Sequence, residues 1–154
     1  MPHRLITTQS SFDDLCQELA AAGTVTFDTE FVSESYYLPK LCLLQFGTAD
    51  RIEAVDPFQV DDLSAWWKLM TDDATTVVVH GGREEVRYCL RFTGERPRKL
   101  VDVQVAEGLL SRGFPLSYKA LVQRVLNDSV DGSQTRTDWA RRPLTPGQIE
   151  YALE

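Results

Sequence analysis

The stretch TVTFDTEF, residues 24–31, is an alternating run with Val25 and Phe27 between threonines, and it ends in two carboxylates, Asp28 and Glu30. Positions i and i+2 of a strand share a face. At a separation of roughly 5 Å and an effective dielectric of about 20, two such charges repel by on the order of 3 kcal/mol. A fold that keeps them recovers this with a cation or by neutralising one acid. The bland alternative is a solvated strand end, since short motifs recur by accident. Position favours chemistry: ligands of open α/β sheets bind beyond the carboxyl ends of strands, and this is such an end.

Further along, VVVHGGREEV passes from a β-branched strand into a helix through Gly81 and Gly82, with Glu85 in the first helical turn. If the two strands are neighbours, Glu85 approaches Asp28 and Glu30. The helix dipole also favours acids at this place, and that ordinary role suits Glu84. His80, at the strand end, reads as a structural hydrogen-bonding histidine rather than a ligand. Three carboxylates together make a hard, oxygen-lined site that suits magnesium or manganese rather than zinc. A third segment, RRPLTPGQIEYALE, carries a helix start: Thr145 at the N-cap, Pro146 at N1 and Gln148 at N3, closing a capping box. Ile149 and Leu153 read as its buried stripe. Tyr151 lies off that stripe, which frees its hydroxyl to reach elsewhere, although a lone tyrosine is more often packing.

A sheet and its covering helices must position these groups. SSFDDLCQELAAAG predicts a helix capped by Ser10 or Ser11, with acids in its first turn and Gly23 as its stop. TVTFD, LPKLCLLQFGT, RIEAVDP, TTVVVH and LVDV predict strands. The second is apolar on both faces and therefore central. A hairpin joins it to the third, and TTVVVH runs parallel to the first. VDDLSAWWKLM, GREEVRYCLRF, VQVAEGLL, LSYKALVQRVL and TPGQIEYALE predict helices. The order is that of an α/β fold with a mixed five-stranded sheet flanked by helices.

With 154 residues, 43% of them hydrophobic, the chain suits one globular domain with a real core. A net charge of −7 argues against holding nucleic acid by charge alone, so bound cations would have to meet the phosphates. Cys16, Cys42 and Cys89 are odd in number and match no zinc spacing, so they read as reduced thiols. No signal core and no bilayer-length apolar run appears, which predicts a cytoplasmic protein with no membrane partner.

Three separated motifs, in order, are similar to one family. FDTEF resembles the first exonuclease motif of ribonuclease D and the wider DEDDy group of 3′→5′ exonucleases. VVVHGGREEVRYCL resembles the second, where the family usually has His-Gly-x-x-x-Asp. LVDVQVAEGLL and TRTDWARRPLTPGQIEYALE resemble the segments that follow. The resemblance covers nearly the whole chain, and DW-x-RRPL-T-x-x-Q-x-x-YA is specific. It implies a ribonuclease-H-like fold and a two-metal exoribonuclease releasing nucleoside 5′-monophosphates from single-stranded RNA 3′ ends, including tRNA-type ends. Carried across, Asp28, Glu30 and Glu85 would hold two divalent ions, Mg2+ or Mn2+, and Tyr151 would orient the attacking water. No protein partner is implied.

The family's fourth acid stands four residues after that tyrosine, which here is position 155. Residues 1–154 are therefore expected to be an exonuclease domain cut within its last helix, without the helical RNA-binding domain, and weak or inactive alone. Glu154 is no substitute, since it points about 100° away on the helix. Glu85 departs from the family's Asp, and Gly132 from a frequent lysine. Two rival readings are an exonuclease fold that holds RNA without turnover and a DNA 3′→5′ exonuclease. DW-x-RRPL favours the ribonuclease D side.

Overall fold

The structure is a computed structural model that describes residues 4–34 and 36–154. In chain order its elements are β1 (Arg4–Ile6), α1 (Gln9–Ala22), β2 (Thr24–Val32), β3 (Lys40–Gly47), β4 (Ile52–Val55), α2 (Ser64–Met70), β5 (Thr76–Val79), α3 (Arg83–Thr93), β6 (Leu100–Asp102), α4 (Val103–Leu110), α5 (Tyr118–Leu126) and α6 (Pro146–Ala152). The strands form one sheet in the order β1-β4-β3-β2-β5-β6. β3 runs antiparallel to β2 and β4, whereas β1 pairs parallel with β4, and β5 parallel with β2 and β6. The mixed α/β sheet matches the expected class and has six strands instead of five. The added strand, β1, is only three residues long, too short for an alternating pattern to register.

β2 alternates as its sequence demands. Val25 and Phe27 are buried in the larger core with Phe12, Leu19, Trp66, Trp67 and Tyr88, supplied by α1, α2 and α3. The Phe27 ring packs on Phe46 and Trp66 at centroid distances of 5.2 and 4.7 Å. Such aromatic pairs add about 0.5–1.5 kcal/mol each beyond their burial, so the strand bearing Asp28 is anchored from behind. A smaller core of Leu43, Ala54, Trp139, Leu144, Ala152 and Leu153 covers the opposite face. Pairing of β2 with β3 slips after Glu30: Glu30 faces Leu43, but Phe31 faces Leu41, leaving Cys42 as the extra residue. The bulge reverses the phase of the strand end, a common device beside functional sites.

α1 is capped by Thr8, whose hydroxyl accepts the Ser11 N–H, with no acid in the first turn. Ser10 and Ser11 are therefore helical residues, not the cap. An N-cap needs extended backbone; Thr8 has it, at φ −130 and ψ 147, because the chain leaves β1 extended. Gly23 ends the helix at φ +70, a left-handed conformation natural to glycine. Among the described residues no helix is long and apolar enough to cross a membrane.

Candidate active site

The ladder between β2 and β5 registers residues 24–26 with 76–78, so β2 runs on past the end of β5. Asp28, Thr29 and Glu30 stand on that overhang. Asp28 is open to solvent, but only through a cleft walled by protein. Desolvation pushes its carboxyl up to about 6, opposed by the Thr29 N–H, which donates to Oδ1 at 2.8 Å. Glu30, half-buried, is pushed up to about 8 by desolvation and then by the charges of Asp28 and Glu85. Glu85, 5% exposed, is raised to about 7; desolvation dominates, the Thr29 hydroxyl relieves it in part, and Asp28 and Glu84 add to it. The charge of Asp28 thus reaches both Glu30 and Glu85, and that of Glu85 reaches Glu30. Among the described residues none of them forms a salt bridge.

Thr29 points to the face opposite Asp28 and Glu30. Its Oγ1 donates to Glu85 Oε1 at 2.5 Å, with both residues buried. Glu85 therefore comes to β2 from the side of α3, close enough for its charge to reach the other two acids. Its carboxylate is turned to Thr29, and among the described residues no three His, Cys, Asp or Glu side chains already stand as a metal cage. Gly81, at φ +66, turns the chain from β5 into α3, and a Cβ on Gly82 would come within 2.3 Å of Val79 Cγ2. Both glycines are thus required by geometry.

Asp102, the N-cap of α4, fastens this turn. Its carboxylate accepts from the N–H groups of Gly81 and Gly82 at 3.0 Å each, and from those of Gln104 and Val105. Burial works to raise its carboxyl, but these four donors hold it below the ordinary range. His80 Nε2 meets the Leu116 carbonyl at 3.0 Å, and its ring lies edge-on to Tyr118, a structural placement.

The C-terminal segment is locked in the same manner. The Thr145–Gln148 capping box forms as expected, and Gln148 Nε2 also donates to Thr137 Oγ1 and the Asp138 carbonyl. Arg142 grips Asp56 through Nε and Nη2 at 2.7 and 2.8 Å, and donates to the carbonyls of Cys42, the bulge residue, and Trp139. Asp56 is 1% exposed; burial raises its carboxyl, yet Arg142 and the Phe58 N–H bring it below the usual value. This lock sets α6 on the smaller core. Gln148 and Ala152 are its buried residues, with Leu153 at the cap, whereas Ile149 is only half-buried. Of the expected stripe, Leu153 is buried and Ile149 packs partly against the same core, while the capping box also draws Gln148 inward.

Tyr151 remains off that stripe. Its ring lies 5.9 Å from Trp139 and its hydroxyl 3.2 Å from Thr135 Oγ1. Burial raises the phenol; the Thr135 bond lowers it, and the charges of Glu30, Asp28 and Asp131 raise it again. The group stays protonated in the field of the acid pair. Gln45, which faces Asp28 across the β2–β3 ladder, donates Nε2 to the Ala152 carbonyl at 3.3 Å and ties the end of α6 to the sheet.

Asp28, Gln45, His80, Tyr118, Asp131 and Tyr151 line a cleft of ≈ 320 Å³, the scale of a small-ligand site. Glu30 and Glu85 lie outside its lining. Glu154 also lines it and accepts the Asp131 N–H at 3.1 and 3.3 Å, which occupies its carboxylate. A hard oxygen donor set of three acids without salt-bridge partners, all raised chiefly by burial, fits a divalent cation as the missing countercharge. Thr29, Asp102 and the Arg142–Asp56 pair were not marked by sequence reasoning.

The chain matches the 3′-5′ exonuclease family over residues 3–154. It is 37% identical over 97% of its length to ribonuclease D of Nitrobacter hamburgensis, and 32% identical over 99% to that of Escherichia coli. It covers 39% and 40% of those proteins, so it spans about two-fifths of the length of the curated relatives it matches. The crystal structure of Escherichia coli RNase D, an exoribonuclease involved in structured RNA processing, superposes with a TM-score of 0.91 at 32% identity, over 99% of this chain and 41% of that one.

Proposed function

The chain belongs to the 3′-5′ exonuclease family, and on that premise we propose that it removes nucleotides singly from the 3′ end of single-stranded RNA as nucleoside 5′-monophosphates. RNA is favoured over DNA because the relatives at 37% and 32% identity are ribonuclease D. Structured RNAs with tRNA-type 3′ ends are the proposed substrates, by likeness to the Escherichia coli enzyme.

The observation that carries this reading is the set of acids without salt-bridge partners at the end of β2, with the Tyr151 hydroxyl in their field. Asp28, Glu30 and Glu85 are proposed to hold two divalent ions, Mg2+ or Mn2+; when bound, these supply an activated water and neutralise charge on the phosphate. Tyr151 hydrogen-bonds the water as a protonated phenol, and Thr135 steadies its hydroxyl. The glycine turn and Asp102 fix the backbone of Glu85, which matters because a misplacement of about 1 Å can cost on the order of a hundredfold in rate. With a chain charge of −7, phosphates must be met locally rather than by a basic surface.

The test is chromatography of products from a 5′-labelled RNA incubated with Mn2+. Stepwise shortening from the 3′ end, however slow, 5′-mononucleotides, and loss of both in Asp28→Asn are expected; internal cuts or 3′-monophosphates contradict the reading. One observation favours a second reading, a fold that holds RNA without turnover: the Glu85 carboxylate is turned to Thr29. RNA binding with no product at saturating Mn2+ selects it.

A further inference from the structure

We propose that the hairpin joining β2 to β3 is a stacking platform that grips single-stranded RNA a few nucleotides upstream of the cleft, with Tyr36 and Tyr37 stacking on bases and Lys40 meeting a phosphate. This rests on the exonuclease reading above. β2 passes from the acids at Asp28 and Glu30 to its end at Val32, which pairs with Lys40. At about 3.3 Å per residue β2 ends roughly 13 Å beyond Asp28, the acid that lines the cleft, so the hairpin stands along the same strand within a few nucleotides' reach of it.

A turn closed by the Tyr36 N–H on the Ser33 carbonyl at 3.2 Å presents two adjacent tyrosines. Tyr36 is 46% exposed and Tyr37 wholly so, with Leu38 half-exposed beside them. Phe92, Phe114 and Tyr118 are also part-exposed, each singly; among the described residues Tyr36 and Tyr37 are the adjacent pair of exposed rings. Contiguous exposed apolar groups mark an interaction site. The hairpin is anchored, because the Pro39 carbonyl accepts from the Tyr88 hydroxyl at 3.3 Å and from Arg91 Nη1 at 3.5 Å. The base of the hairpin is thus fixed to α3 at Pro39, two residues from Tyr37.

Cations stand among these rings. Lys40 Nζ lies 4.3 Å from the centroid of Phe58 and 5.9 Å from that of Tyr36, and the Arg142 guanidinium lies 4.3 Å from Phe58. Arg142 is bound to Asp56, whereas Lys40 enters no salt bridge among the described residues. An unpaired ammonium between exposed aromatics complements a phosphate between two bases, the chemistry by which single strands are held without sequence preference. A duplex keeps its bases stacked and offers these rings nothing.

The test is fluorescence anisotropy with Ca2+, the RNA being checked as intact. The chain, Tyr36→Ala/Tyr37→Ala, Tyr37→Phe and Lys40→Ala are titrated with oligouridylates of two and eight nucleotides, a DNA octamer and a blunt duplex. The double alanine variant is expected to bind the octamers about fivefold to a hundredfold more weakly and the dinucleotide within about twofold, as loss of stacking requires. Tyr37→Phe retains binding. Lys40→Ala weakens both octamers and lowers the salt slope by about 0.7. A double alanine variant that binds the octamer like its parent overturns the platform, and release of 5′-mononucleotides by the parent in Mn2+ then leaves the exonuclease reading standing. Equal loss on dinucleotide and octamer also overturns it, because the rings would then act through the fold. A parent that neither binds nor hydrolyses RNA brings down both.

Discussion

Glu85→Gln isolates what the buried acid does to the fold. Glutamine keeps the shape of the protonated acid and cannot ionise. In the metal-free protein the Glu85 carboxyl is raised from 4.5 to about 7, so the folded state binds its proton more tightly than the unfolded chain does. The stability this contributes is fully present below pH 4.5 and is lost as pH rises through 7. Relative to an acid that titrates alike in both states, Glu85 therefore destabilises the fold by on the order of 3 kcal/mol at pH 8.5, where it is ionised, and by about 1 kcal/mol at pH 5, where only the unfolded chain ionises it. Glutamine removes both penalties, so its benefit should be about 2.5 kcal/mol larger at pH 8.5 than at pH 5. For a chain of 154 residues this is a gain in Tm about 5–10 °C larger at the higher pH. Thermal unfolding of both proteins in EDTA at the two pH values measures it. Saturating Mn2+ should then reverse the order at pH 8.5, raising the parent more than the variant. A variant less stable than its parent at pH 8.5 without metal would refute the reasoning and make Glu85 an ordinary helix-start acid.

Gly82→Ala places a methyl 2.3 Å from Val79 Cγ2 and should lose about 1–3 kcal/mol by overpacking; in urea unfolding, Val79→Ala should couple to it favourably by about 1 kcal/mol, and strict additivity would deny the contact. Arg142→Met leaves Asp56, 1% exposed, without its partner and should cost about 3–5 kcal/mol, partly restored by Asp56→Asn; a loss under about 1 kcal/mol would mean that the pair is not holding the C-terminal segment. Tyr151→Phe removes a hydroxyl whose protein partner, Thr135, is solvent-exposed; kcat should fall at least about tenfold, the low end of what one positioned catalytic group supplies, while Mn2+ affinity and Tm stay put, and unchanged kcat would exclude the water-positioning role.

The parts of the site legible in the sequence are those that short-range geometry encodes. The strand period alone puts Asp28 and Glu30 on one face, the glycine pair announces the turn that delivers Glu85, and T-P-G-Q announces the start of α6 and thereby the place of Tyr151. Long-range contacts were not legible. Thr29 falls on the core face of β2 by alternation, so nothing local shows that it donates to Glu85, 56 positions away. Asp102 reads as a strand residue until the fold brings the glycine turn, 20 and 21 positions earlier, onto its carboxylate. Arg142 meets Asp56 across 86 positions. The cap at Thr8 has no local signature because it depends on β1, whose three residues are held by pairing with β4 rather than by any pattern of their own.

The central claim is that the acids at the end of β2 exist to hold metal. Crystals soaked in Mn2+ and measured at the manganese absorption edge test it most directly. The account predicts anomalous density against the Asp28 carboxylate, shared with Glu30 or Glu85, and its disappearance in Asp28→Asn. Crystals whose protein hydrolyses RNA in Mn2+ but show no manganese at Asp28 would contradict it.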